Sequence, residues 1–464
     1  MNKKTAAAST AHTSTPTVLP VSVTAALAPC AGIVEHRPPG DLKANSRNAR
    51  THGSKQIELL AAGITQFGFL VPVLIDEQDV ILAGHGRVEA AKTLKMETVP
   101  TIRVSHLTPE RKRAFVLADN RLAQLAGWDD QLLGIELEEL FALDLDFDIE
   151  ITGFDTVDVD RLDVVASAPG AQHEVVAEVD RKQPAISRLG DLWQLGPHRL
   201  ICGSALEEDT YRHLLGDDRV QMVFSDPPYN VKIDGHVCGL GSVKHAEFAM
   251  ASGEMSADQF IEFLRTPMRL TSSFSLDGAI HYICMDWRHM GEMLAAAAPI
   301  YGAPKNLCVW SKTNAGMGAF YRSQHEFVFV FKVGTASHIN NFGLGGRGRY
   351  RSNVWVYPGV NTFKRGRMAE LEAHPTVKPL ALVVDALKDC SRRSGVVLDP
   401  FLGSGTTLLA AEKTARLGRG IEFDPHYVDV AIRRWQEMTG KPAIHVESGL
   451  TFEQLAAQRG AVVE

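Results

Sequence analysis

Val396-Val397-Leu398-Asp399-Pro400-Phe401-Leu402-Gly403-Ser404-Gly405-Thr406-Thr407 begins as a short apolar run ending in a carboxylate, crosses two glycines and leads into the helical stretch Leu408 to Arg416. Strand, glycine turn and helix together seat a ligand over the C-terminal edge of a parallel sheet. Glycines remove side chains where the backbone must pass close to a ligand. A dinucleotide site would use a similar turn, but the third glycine of that fingerprint is missing, because Leu408 holds its place. Glu422 ends the next expected strand, Gly420-Ile421-Glu422, where a carboxylate can accept both hydroxyls of a ribose. The plain alternative is a surface acid at a strand end.

Outward from this turn, strands and helices alternate from about residue 188 to 446, the pattern of a wound, mostly parallel α/β sheet. Expected strands include Met222-Val223-Phe224, Ala279 to Cys284, Leu307 to Trp310 and Phe327 to Phe331, with long helices after Thr406 and Pro425. The first of these strands delivers Ser225-Asp226-Pro227-Pro228-Tyr229-Asn230. Two consecutive prolines fix both φ angles and bring no N–H donors, so the carbonyls there are rigid and free. Asp226 and the Pro227 carbonyl can both accept from one –NH2 group, which draws the nitrogen lone pair out of conjugation. Tyr229 offers a face on which an extruded base can stack. A Pro-Pro turn with an incidental acid is the competing reading, and the turn at 398–407 in the same chain weighs against it.

Residues 188–446 resemble the amino-methyltransferases of DNA, which act on adenine N6 or cytosine N4. Asp226-Pro227-Pro228-Tyr229 matches their catalytic motif, and Asp399 to Thr407 their cofactor motif. His374-Pro375-Thr376-Val377-Lys378-Pro379 matches the segment that closes the family's cofactor pocket. The resemblance implies S-adenosylmethionine as cofactor, held by His374, Thr376, Lys378, Asp399, Phe401, Gly403, Ser404, Gly405, Thr406, Thr407 and Glu422. It implies a permuted, Rossmann-like sheet of the β-class layout, because the catalytic motif precedes the cofactor motif. It also implies that Trp310-Ser311-Lys312 through Gly316-Met317-Gly318 and His325-Glu326 shape the floor around the target base. One departure is Ser204, which stands where the family places Asp or Asn to touch the cofactor's adenine. Asp226 at the first tetrad position goes mostly with adenine in this family, and serine with cytosine.

An insertion over 335–373 does not fit the expected sheet. Gly343 to Arg351 and Lys364-Arg365-Gly366-Arg367 place Arg347, Arg349, Arg351, Lys364, Arg365 and Arg367 there without an intervening acid. Glycine, arginine and aromatics mixed this way suit a loop against phosphates and unstacked bases. Its position is that of the family's target-recognition insertion, and a solvated basic loop is the bland alternative. Residues 31–125 resemble the amino-terminal domain of ParB-like partition proteins through Asn48-Ala49-Arg50, Gly68 to Val73 and the turn Gly84-His85-Gly86-Arg87. The family's turn reads Gly-Glu-Arg-Arg and holds nucleotide phosphates. His85 and Gly86 depart from it, so an accessory module contacting DNA or a partner is expected instead.

Bulk properties frame these motifs. The chain has 464 residues, 45% hydrophobic and 22% charged, with a formal net charge of −7. That composition suits two or three soluble domains. A DNA enzyme of this charge must concentrate its cations locally. The six scattered cysteines form no close pair, which argues for reduced thiols and against a metal site. No apolar run approaches the roughly 20 residues of a membrane span. The expected organisation is a disordered lead-in at 1–30, a small α/β ParB-like domain at 31–125, a helical segment and linker at 126–187, the methyltransferase domain at 188–446 and a tail at 447–464. The function expected is site-specific adenine-N6 methylation of double-stranded DNA by a cytoplasmic, nucleoid-associated enzyme in a restriction–modification setting. A homodimer is compatible with this reading, and no membrane contact is expected. Alternatives are cytosine-N4 methylation, a ParB-like DNA-binding protein with a non-catalytic methyltransferase scaffold and, more distantly, a nicotinamide oxidoreductase.

Overall fold

The computed structural model describes residues 33–143, 145–166, 181, 184–231, 253–313, 320–343, 350–358 and 378–460. It divides into two units between Asp155 and Thr156.

In the first unit, β1 (Val34–Arg37), α1 (Ser54–Phe67), β2 (Val73–Ile75), β3 (Ile81–Ala83), α2 (His85–Thr93) and β4 (Val99–Arg103) build a four-stranded sheet of order β1-β4-β2-β3. Val73, Ile75, Ile81, Val88 and Val99 form its core. Period-two alternation explains why Val73 and Ile75 are inside while Leu74 is only partly covered. Gly86, on the first turn of α2, has a close neighbour: a Cβ there would lie 2.9 Å from Leu60 Cδ1. The helix α3 (Pro109–Leu125) starts with Thr108 accepting from Arg111 N, and α4 (Asp130–Ala142) with Asp129 accepting from Gln131 N and Leu132 N.

The second unit opens with α5 (Thr156–Ala166), inside the stretch expected as a linker. Asp160 on this helix is buried and takes both arms of the fully buried Arg416, with Nη1 at 2.9 Å and Nη2 at 2.8 Å. The remaining guanidinium hydrogens go to Ser391 Oγ, the Ser391 carbonyl and the Thr414 carbonyl. A run rich in Asp reads as solvated, and only its partner 256 residues away reveals one of those acids as core.

There follow β5 (Leu192–Leu195), β6 (His198–Cys202), α6 (Glu208–Leu215), β7 (Val220–Ser225), α7 (Ala257–Phe274), β8 (Ser275–Met285), α8 (Met290–Tyr301), β9 (Asn306–Lys312), β10 (His325–Lys332) and β11 (Val354–Tyr357). Then come α9 (Leu380–Cys390), β12 (Val396–Asp399), α10 (Thr406–Lys413), β13 (Leu417–Glu422), α11 (Pro425–Thr439), β14 (Ile444–His445) and α12 (Phe452–Arg459). The sheet has ten strands in the order β11-β9-β10-β8-β7-β12-β13-β6-β5-β14. Its centre, β8-β7-β12-β13-β6, is all parallel, and antiparallel pairs flank it on both sides. Successive residues of β7 feed opposite layers. Met222 and Phe224 pack with Leu382, Ala386 and Leu387 of α9, while Val223 packs with Tyr211 and Leu214 of α6. Burial on both faces is why the parallel strands read as continuous apolar runs.

Three expectations change. The insertion over 335–373 contributes a strand, β11, which pairs parallel with β9 at the sheet edge. The tail at 447–464 includes α12, whose Phe452 is buried against Trp193 and Trp435, while Arg459 pairs with Asp191. Finally, α10 is short, at eight residues. Asp160→Ala strands a buried guanidinium and should cost about 3–5 kcal/mol of unfolding free energy, measured by urea denaturation. A loss below about 1 kcal/mol would show that the pair does not anchor α5.

Candidate functional site

The sheet topology creates the site. Met222 lies opposite Val397 and Val223 opposite Leu398, so β7 and β12 run side by side and end on one edge. From β7 the chain continues through α7 to β8 on one flank, and from β12 through α10 to β13 on the other. That divergence is the switch point at which wound sheets open a ligand crevice. A cavity of about 210 Å3 lies there. Asp226, Pro227, Pro228 and Tyr229 line one part of it, with Glu326 and Lys378; Phe401, Gly403, Glu422 and Tyr427 line another.

The tetrad is tightly fixed. Tyr229 donates its hydroxyl to Asp226 Oδ1 at 2.7 Å, and Lys378 Nζ lies 2.6 Å from Asp226 Oδ2. Lys378 also lies 3.1 Å from Glu326 Oε2, and Lys312 holds the other Glu326 oxygen. Burial alone would raise the Glu326 carboxyl, yet Lys378 and Lys312 outweigh it and hold the group down at about 2. Burial likewise disfavours the Lys378 ammonium, but Asp226 and Glu326 keep it charged, above the usual lysine range. Burial first, then the Asp226 and Glu326 charges, push the Tyr229 phenol well above its ordinary value, so it stays a neutral donor. Asn230 follows in the left-handed region, at φ 53°, which asparagine tolerates better than most residues. Its side chain accepts from Gly253 N and Met255 N and donates to the Met255 carbonyl, tying the tetrad to the start of α7.

The glycine turn is braced from within. Asp399 accepts from Phe401 N at 3.0 Å and from Thr407 Oγ1 at 2.6 Å. Burial raises the Asp399 carboxyl to about 7 against these two donors. Arg434 of α11 donates to the carbonyl and hydroxyl of Ser404 and reaches Thr406 Oγ1 at 3.5 Å. Gly403 has φ +55°, and Gly405 has φ +89° with a would-be Cβ only 2.8 Å from Ala431 Cβ. Gly405 is therefore required by helix packing as well as by backbone conformation, a reason additional to ligand approach. Glu422 accepts from Gly403 N and Asp424 N, each at 2.8 Å. Burial raises its carboxyl to about 7.

Several expected residues fall elsewhere. Lys378, expected at the cofactor, lines the cavity and has its ammonium on the tetrad carboxylate. Arg351 is committed inside the fold, with Nε 2.8 Å from Asp389 Oδ2 and Nη1 3.0 Å from the Tyr357 hydroxyl, and is no free phosphate contact. His374, Thr376, Arg347, Arg349, Lys364, Arg365, Arg367 and Gly316-Met317-Gly318 lie outside the described residues. Ser204 Oγ accepts from Leu206 N, and the cavity is lined beside it by Gly203, Ala205 and Leu206. Sequence reasoning missed Tyr427, Asp424 and Arg181, which pairs with Asp424 at 2.6 Å. The signal available was the strand-end run Glu422-Phe423-Asp424-Pro425, where Asp424 caps α11.

Several parts of the chain are similar to known proteins. A DNA methylase family model, of the N6/N4 type, matches residues 220–433. A ParB N-terminal domain model matches residues 27–121, and a ParB-methyltransferase HTH domain model residues 131–189. The ParB-like nuclease domain-containing protein YnaK of Escherichia coli (strain K12) is 50% identical over 80 residues, which is 17% of this chain and 92% of that protein. The type II methyltransferase M2.MboI of Moraxella bovis is 25% identical over 237 residues, 48% of this chain and 83% of that protein. A solved structure of the M1.HpyAVI–SAM complex shares 20% identity, covering 51% of this chain and 97% of that one, with a TM-score of 0.37. Residues 220–433 thus carry a DNA methylase domain of the N6/N4 type, with a ParB N-terminal domain ahead of it.

Thr407→Val removes a donor from Asp399 and should cost about 1–3 kcal/mol. The Asp399 carboxyl already titrates high, so its contribution is complete at low pH and lost as pH rises through about 7. The variant pushes that carboxyl higher still, so the destabilisation should be larger at pH 8 than at pH 6 in thermal melts. An equal loss at both pH values would contradict this role for Asp399.

Proposed function

We propose that this chain, as a DNA methyltransferase of the N6/N4 family, methylates the N6 amino group of adenine in double-stranded DNA. The observation that carries the reading is Asp226, an acid at the first tetrad position, lining the cavity together with Pro227. An adenine amine donating to the Asp226 carboxylate and the Pro227 carbonyl loses conjugation with its ring, and its lone pair is exposed for attack. The Tyr229 ring takes the extruded base by stacking. Its neutral hydroxyl, bonded to Asp226, holds that carboxylate in place.

S-adenosylmethionine is the methyl donor of the family, and the residues present fit it. Glu422, pinned by two backbone N–H groups, keeps lone pairs for two ribose hydroxyls. Phe401 and Tyr427 supply apolar walls for an adenine ring, and Gly403, Ser404, Thr406 and Thr407 line the same cavity. When bound, the cofactor supplies a sulfonium-borne methyl group. Asp226 keeps the receiving nitrogen oriented and offers a carboxylate for the proton that nitrogen must shed.

For DNA contact, the basic positions Arg347, Arg349, Lys364, Arg365 and Arg367 remain the candidates, now without Arg351. The first unit is the candidate accessory contact. Asp226→Asn should cut methyl transfer from a labelled cofactor by at least about 100-fold, while calorimetric cofactor binding persists. Nucleoside analysis of wild-type product should yield N6-methyladenine. N4-methylcytosine in its place would overturn the adenine assignment, and full activity of the variant would sink the mechanism. A chain beginning at Thr156 keeps the α5 anchor and isolates the first unit's role. Unchanged sites and rates in that chain would remove the first unit from DNA recognition.

A further inference from the structure

We infer that Lys378 is a displaceable placeholder on Asp226, and that Glu326, braced by Lys312, is the positioning residue that receives it when the target amine arrives. This deepens the reading above and rests on it. In the structure, the Lys378 ammonium is 2.6 Å from Asp226 Oδ2, 3.1 Å from Glu326 Oε2 and 3.4 Å from the Tyr229 hydroxyl. Tyr229 already occupies Asp226 Oδ1, so both oxygens of the acceptor carboxylate are engaged before any substrate enters.

A neutral amine is a poor competitor for that seat, because a charge-assisted hydrogen bond is about twice as strong as a neutral one. Lys378 is only 7% exposed, and a buried ammonium cannot simply be released without a counterion. Glu326 Oε2 resolves the conflict by lying within reach of the same nitrogen. Lys312 holds the other Glu326 oxygen, which fixes the carboxylate and leaves Oε2 aimed at Lys378. The Trp310 ring lies 5.7 Å from the Lys378 nitrogen and 4.6 Å from that of Lys312, giving both cations an aromatic face.

The cluster thus draws on four places: the loop after β7, strands β9 and β10, and the residue two before α9. Two anions balance two cations. The other titratable groups facing it are the Tyr229 phenol, the Cys284 thiol on β8 and Asp399 at the end of β12. Burial raises all three, so they enter as neutral groups or weak acids, while Glu326 stays ionised at working pH.

The test uses the full-length protein, labelled S-adenosylmethionine and unmethylated genomic DNA. Glu326→Gln leaves Asp226 as the main counterion of Lys378 and should lower kcat about tenfold, with cofactor Kd unchanged. The decisive variant is the double substitution Glu326→Gln with Lys378→Met. With the placeholder removed, its kcat should exceed that of Glu326→Gln alone by several-fold, a non-additive gain that a merely structural role cannot produce. A double variant no faster than the single one overturns the inference. Wild-type chain that methylates no DNA sinks the underlying reading as well, which is a separate outcome.

Discussion

The parallel pairing of β7 with β12 is the constraint from which the site follows. Two residue pairs, Met222 with Val397 and Val223 with Leu398, bring together segments 175 residues apart in the chain. Register in a buried strand is not adjustable, because a shift of one residue would exchange the α9 and α6 faces. Met222 and Val223 go to opposite layers, so each position is specified by packing. The loops that leave these strands must then share one edge, and the acid of the tetrad faces the glycine turn across the cavity.

Around that edge the molecule spends its buried polar groups on rigidity. Asp399 with Thr407 and Phe401 N, Arg434 with Ser404, and Glu422 with Gly403 N all stiffen the turn. These local and cross-element bonds fix the turn's backbone, which is what a site needs if reacting groups are to hold position. The Asp160–Arg416 pair does the same for α5, with every guanidinium hydrogen used. The tetrad is built differently. Its carboxylate sits in a cluster of oppositely charged side chains, with two anions, Asp226 and Glu326, within reach of one buried cation.

The local motifs were legible because each is written in consecutive residues. Asp226-Pro227-Pro228-Tyr229 and the turn at 399–407 stand where the sequence put them, on the ends of the expected strands. Glu422 was legible because strand-end carboxylates follow a fixed spacing from the turn. Lys378 lines the cavity, but its contact with Asp226 was not legible in the sequence. Nothing in its neighbours states that Glu326, on a strand 52 residues earlier, is waiting for it. Arg351 shared its composition with a basic loop, and only the fold puts Asp389 and Tyr357 around it. The strand Val354–Tyr357 was masked by the same basic, glycine-rich texture.

What the sequence determined by itself was the chemistry: which short segments can bind, orient and stack, because backbone restriction by proline, freedom by glycine and side-chain type are local properties. What only tertiary structure decided was partnership. Which acid neutralises Arg416, which cation sits on Asp226 and which helix forbids a Cβ at Gly405 depend on contacts across tens to hundreds of residues. Burial turns those contacts from optional into obligatory, since a charge or polar group without its partner is costly away from water.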